Sequence, residues 1–170
     1  LYWWQCADIK VDAPDASNNF QMSVASVDYL AYETQLEHRD PQRGKMNRVY
    51  VQVHNRGIQT ATNVTVKLLF ADASPGLPSL PPNFWTAFPG NGNQTNWKAI
   101  GAAKVIASLS PRRPDILEWD WTVPVGQATH SCLLVVMDSP GDPIPAANKI
   151  FNVNNLVRQE KRVGLKNLHI

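Results

Sequence analysis

Between residues 47 and 70 apolar and polar positions alternate with period two. Val49, Val51 and Val53 alternate with Tyr50, Gln52 and His54. After a break at Asn55-Arg56-Gly57, Val64, Val66, Leu68 and Phe70 alternate with Thr65, Lys67 and Leu69. Alternation rich in β-branched residues predicts two strands, each with one buried face. The short gap between them suits a connection between neighbouring strands or between the two sheets of a sandwich.

The same reading extends along the chain. Ala7-Asp8-Ile9-Lys10-Val11-Asp12 predicts a short first strand, closed by Ala13-Pro14-Asp15. Residues 20–32 carry a weaker β signal, and 35–45 read as a polar loop. Residues 73–97 hold Ser74-Pro75-Gly76, Pro81-Pro82, Pro89-Gly90 and Asn91-Gly92-Asn93, turn chemistry that breaks any regular element longer than a turn or two. A loop of that length needs anchors; Phe84, Trp85, Phe88 and Trp97 are the aromatic ones, and Pro82-Asn83-Phe84-Trp85 fits one helical turn. Strands are predicted again at 104–107 and at 116–123, where Leu117, Trp119, Trp121 and Val123 share the core face. Residues 132–137 form a continuous apolar run, the pattern of a central strand buried on both faces. The loop 139–148 leads to Asn152-Val153-Asn154-Asn155 and a last strand at about 159–168.

About seven short strands separated by turns define an all-β chain: an immunoglobulin-like two-sheet antiparallel β-sandwich with a long Pro/Gly/Trp-rich insertion at 73–97. With 170 residues, the chain suits a single domain over 1–170. An apolar fraction of 44% against 18% charged residues excludes a disordered chain. A net charge of +2 argues against a nucleic-acid partner. No apolar run reaches bilayer length, so membrane insertion is not expected. The chain starts at Leu1-Tyr2-Trp3-Trp4 with no initiator Met or signal peptide, and reads as a fragment of a longer polypeptide or a processed chain. The first and last strands are expected at sheet margins, with Lys161, Arg162 and Lys166 discouraging edge pairing.

Asn55-Arg56-Gly57, followed by Ala61 and Asn63-Val64-Thr65-Val66, resembles the strand–loop–strand signature of the bacterial cell-adhesion-related domain family (CARDB). Asp8-Ile9 and Asn154-Asn155 match further recurrent features of that family. The insertion and the Trp119-Asp120-Trp121 strand lie outside its core pattern. The resemblance implies a spacer or binding module of secreted or cell-surface proteins, beside neighbouring domains of a larger polypeptide. It implies no catalysis of its own.

The candidate chemistry is sparse. Asn55, Asn154 and Asn155 read as structural turn residues, with Gly57 supplying a positive φ. The four histidines, His38, His54, His130 and His169, stand in no nucleophile or metalloprotease motif. His130 and Cys132 share a strand face, but in an apolar run that favours a dry core. Glu118 and Asp120 also share a face, where neighbouring cations or solvent suffice. Asp138, Asp142 and Asn148 are oxygen ligands in one loop, and a calcium site there stays open. So does a Cys6–Cys132 bridge, which would staple the first strand to a central one. No catalytic residue, metal centre or cofactor is assigned. Asn63-Val64-Thr65 and Asn93-Gln94-Thr95 fit the N-glycosylation pattern, which carries no weight in a bacterial chain. The partner expected is a protein or a polysaccharide at the cell surface, and Phe84, Trp85 and Trp97 are the candidate binding surface.

Overall fold

The computed structural model describes residues 3–91 and 95–170; Gly92, Asn93 and Gln94, and with them most of the second glycosylation pattern, lie outside the described residues. Eight strands occur among the described residues: β1 (Ile9–Asp12), β2 (Met46–Val53), β3 (Ala61–Asp72), β4 (Lys98–Ala99), β5 (Lys104–Leu109), β6 (Asp115–Thr122), β7 (His130–Asp138) and β8 (Val163–His169). They form two antiparallel sheets. The smaller is ordered β1-β2-β6; the larger runs β4-β3-β7-β8, with β5 also paired to β3.

The alternating residues of the sequence make the layer between the sheets. Val49, Val51, Val53, Trp119 and Trp121 from the smaller sheet meet Val64, Val66, Leu68, Phe70, Leu133 and Val135 from the larger. Phe70 and Trp121 touch across the layer with ring centroids 5.1 Å apart. The chain is therefore the immunoglobulin-like antiparallel β-sandwich that the pattern predicts.

A second apolar layer covers the outer face of the larger sheet. Leu69, Ala71, Cys132, Leu134, Val136 and Leu165 are buried there under Leu80, Phe84 and Trp97 of the insertion and under Val153 and Leu156. This double burial explains the unbroken apolar run of β7. The described part of the insertion thus does not project from one end of the sandwich. It lies across a sheet because its apolar side chains find their burial on that face.

Two segments expected to be extended or irregular are helical. Residues 20–32 hold a 3₁₀ turn and the start of helix α1 (Tyr29–Thr34), whose N-terminus is capped by Asp28 accepting from the Ala31 N–H at 2.9 Å. Tyr32 and Leu36, one turn apart, pack onto Tyr50 on the outer face of the smaller sheet. That burial outweighs the weak local β preference. A short helix, α2 (Phe84–Ala87), lies in the insertion, and α3 (Val153–Gln159) precedes β8. Asn154 and Asn155 therefore stand in the first turn of α3 and not in a connecting turn. The capping residue is Asn152, whose Oδ1 accepts from the Asn155 N–H at 3.0 Å; such a cap contributes about 1 kcal/mol.

Strands β1 and β8 lie at sheet margins, but their edges are protected by chain rather than by charge. Gln5 bridges Lys166, the Cys6 N–H donates to the Leu165 carbonyl, and the Asn167 N–H donates to the Trp4 carbonyl, both at 2.9 Å. Along β1, the Val11 N–H donates to His38 Nδ1 at 3.0 Å and the Arg39 N–H to the Val11 carbonyl at 2.8 Å. Arg162, read as an edge guard, is instead folded inward onto Glu160 at 2.6 Å. Gly57 is not among the residues with positive φ, whereas Gly44, Gly76 and Gly101 are. Its N–H instead donates to Asn55 Oδ1 at 2.9 Å in an Asx turn, so the left-handed backbone expected at this position does not occur.

Candidate functional site

The insertion is held by hydrogen bonds as well as by burial. Phe84 and Trp97 are 1% and 0% exposed. The Trp97 Nε1–H donates to the Pro78 carbonyl at 2.9 Å, and the Trp85 Nε1–H to the Ile150 carbonyl at 3.0 Å. Trp85 keeps part of its surface; the faces of Phe84 and Trp97 are closed to any sugar ring. Beneath them lies Lys67, at an outward-reading position of β3 but only 1% exposed. Its ammonium donates to the Pro89 carbonyl at 3.0 Å, to the Gly90 carbonyl, and to Asn91 Oδ1 at 3.3 Å. Burial pushes the Lys67 amine below its ordinary value. The aromatic residues singled out in the sequence thus form an anchor, and Lys67, which alternation marks as a solvated position, is its polar pin.

A recess lies at one end of the sandwich, a cleft of about 780 Å³ between the sheets. Ile9, Val51, Val53, Val64, Val135 and Met137 make its apolar lining. Polar groups stand around it as pairs. His54 Nε2 lies 3.3 Å from Asp8 Oδ1; Asp142 meets Arg162 and lies 3.3 Å from Lys161. Asn55 closes one rim, its Nδ2 donating to the Gln59 carbonyl at 2.7 Å and the Leu109 carbonyl at 2.9 Å. Pockets of roughly 300–1,000 Å³ with an apolar lining and few polar groups are the usual form of a ligand site, so this cleft replaces the insertion as the leading concave candidate.

The residues weighed for catalysis are brought to other partners. Glu118 meets Lys104 at 3.0 Å, and Asp120 meets Arg48 at 3.3 Å. Asp138 Oδ1 accepts from the N–H groups of Ser139 and Ile144, both at 2.9 Å. Asn148 donates to Glu160 at 2.9 Å. Of the three oxygen donors considered for calcium, Asp138 is thus engaged within its loop, Asp142 by Lys161 and Arg162, and Asn148 by Glu160. Among the described residues no group of three or more His, Cys, Asp or Glu side chains is placed to hold a metal ion. Cys6 and Cys132 are free thiols. They cannot be bridged in this arrangement because Cys6 packs toward the layer between the sheets and Cys132 lies in the second layer, on the other side of the larger sheet. No helix among the described residues is long and apolar enough to cross a membrane.

His38 has a structural role with a pH signature. Burial, then the nearby charge of Lys166, pushes its imidazole down to about 4, against the opposing pull of Asp40. Its neutral Nδ1 accepts from Val11. Because the folded value lies below the unfolded value of roughly 6.5, the unfolded chain binds the extra proton first. Stability is then present above about pH 6.5 and is lost as pH falls toward about 4. With a quarter of the side chain still exposed, the expected loss is about 2 kcal/mol after solvent screening. Urea midpoints at neutral and mildly acid pH should show it; a His38→Gln variant with the same acid slope would assign the loss elsewhere.

No protein-family model matches the chain, and no curated protein matches it. Among solved structures, the chain is similar to two of a CARDB domain from Pyrococcus furiosus. One is a crystal structure in complex with di-metal ions, 15% identical with a TM-score of 0.39 over 75% of this chain and 78% of that one. The other is a solution NMR structure, 14% identical with a TM-score of 0.38 over 96% of this chain and 92% of that one. CARDB is also the family whose signature residues 55–66 resemble.

Proposed function

We propose that this chain is a non-catalytic structural or adhesive module of an extracellular or cell-surface protein. The observation that supports it is how its reactive side chains are engaged. Glu118, Asp120 and Asp142 are matched to cations, Asp138 caps backbone donors, and the Cys132 thiol is pushed up to about 12 by burial. A general base or nucleophile needs a perturbed group that faces a substrate. Here the strongly perturbed groups, Tyr32, His38 and Cys132, are tied into contacts of the fold: Tyr32 donates to the Ala7 carbonyl, His38 accepts from Val11 and Cys132 donates to Asn167. The test is location and attachment together. An antibody to the chain should label intact source cells, and beads coated with the chain should bind the surface of those cells. Labelling only after permeabilisation overturns the reading, as does turnover by the purified chain in general hydrolase screens.

A second reading is favoured by the cleft: an accessory domain that binds a polysaccharide or protein for a secreted enzyme. A glycan array probed with the purified chain separates the two, since a pure spacer leaves the array blank.

A further inference from the structure

Two tryptophans outside the insertion stand beside a second recess, of about 230 Å³. Trp3 and Trp4 are half-buried and meet edge to face, with centroids 5.1 Å apart and planes at 90°. They are held there by backbone pairing to the edge of β8, through the Trp4 carbonyl and the Asn167 N–H at 2.9 Å. The Arg158 guanidinium of α3 packs over the Trp3 ring at 5.0 Å. Aromatic side chains fixed in this way present area without ordering entropy to lose on binding.

Around the recess three polar side chains converge from separate elements: His130 of β7, Asn154 of α3 and Asn167 of β8. The Asn167 Oδ1 accepts from the Cys132 thiol at 2.9 Å, which orients its Nδ2 donors away from that contact. Among the described residues the His130 ring and the Asn154 amide hold no protein hydrogen bond. The lining includes no Asp, Glu, Lys or Arg. Such a recess suits a neutral ligand with one apolar face and several hydroxyl groups. Its volume is below the roughly 300–1,000 Å³ of drug-sized ligand pockets and matches one ring rather than a folded partner.

We propose that the Trp3/Trp4 recess is a carbohydrate subsite that takes one pyranose ring of a neutral polysaccharide. The ring's C–H face lies on indole, and its hydroxyls meet Asn154, Asn167 and His130. The site is distinct from the Phe84/Trp85/Trp97 anchor and from the cleft between the sheets, with Ala73, Gly76 and Leu77 at the start of the insertion forming part of its wall. It deepens the polysaccharide-binding reading and is independent of the non-catalytic one.

The test titrates the intact chain with cellohexaose, xylohexaose, mannohexaose and N-acetylchitohexaose, following heat and tryptophan emission up to about 10 mM, well beyond the roughly 1 mM that corresponds to weak binding. At least one sugar should bind saturably. Trp3→Ala and Asn154→Ala should each weaken it about tenfold or more, while Trp85→Phe on the insertion leaves it unchanged. Urea midpoints of the variants show that they are folded, and Asn154→Ala carries the test if Trp3→Ala does not fold. Absence of binding by every sugar, full affinity in folded Asn154→Ala, or loss of affinity in Trp85→Phe overturns the proposal. Each of these outcomes leaves the non-catalytic reading standing. Shortening of a bound sugar during incubation overturns that reading alone, since the subsite would still be occupied.

Discussion

Replacing Lys67 by alanine is expected to lower stability by about 3 kcal/mol or more, and by clearly more than replacing it by methionine. The Lys67 ammonium is the shared donor for the Pro89 and Gly90 carbonyls and the Asn91 side chain. Truncation removes the donor that these three part-buried hydrogen bonds share, at about 1 kcal/mol each, and opens a cavity where the four-carbon stem lay. Methionine fills most of that volume and removes the penalty of burying a charge, so it recovers the packing part and not the hydrogen bonds. The two variants therefore separate filling from pinning. Urea unfolding of the intact chain measures both. A Lys67→Ala variant within about 1 kcal/mol of the parent would show that the insertion is held by its aromatic residues alone.

Lys67 also marks where sequence patterning stops being informative. Period two correctly separates Val64, Val66, Leu68 and Phe70 from Lys67 and Leu69, because side-chain alternation is a property of the strand itself. What covers the second face is not local. Leu80, Phe84 and Trp97 of the insertion and Val153 and Leu156 of α3 supply that cover for the larger sheet, and α1 supplies it for Tyr50. These covering segments are short, so their helical period is too brief to stand out from the background. Their caps are legible in retrospect: Asp28 stands three residues before Ala31, and Asn152 three before Asn155, the spacing by which a side-chain oxygen reaches a free N–H of the first turn. The candidate site was less legible. Six tryptophans in the composition point to aromatic chemistry, but exposure is decided by the tertiary fold. Trp97 is buried, whereas Trp3 and Trp4 keep accessible surface at an edge that alternation does not identify. The pairing of Asp8 with His54 joins residues just beyond one end of the β1–β2 register, past Ile9↔Val51, and nothing in their sequence separation announces it.

Raising the pH is expected to unfold the chain early, and Cys132 should account for a measurable share. The thiol is 1% exposed, and burial pushes it from 9.0 up to about 12. It donates to Asn167 Oδ1, a bond that a thiolate cannot make. Since the folded value is raised, the contribution to stability is complete below about pH 9. It is lost progressively as pH rises toward about 12, because the unfolded chain gives up its proton first. Half of that interval corresponds to about 2 kcal/mol, and the whole of it to about 4. Cys6 and Tyr32 are displaced in the same direction, by burial first and then by the charge of Asp8, and they steepen the fall. The amines of Lys67 and Lys166 are displaced downward by burial and oppose it, since their folded forms shed the proton more readily. The difference between the parent and Cys132→Ala isolates one group from these others. Urea midpoints followed from neutral pH to about pH 10.5 should fall less steeply in Cys132→Ala, by about 2 kcal/mol over that range. Parallel slopes would mean that the thiol reaches solvent as easily in the folded chain as in the unfolded one, and that the second apolar layer does not seal β7.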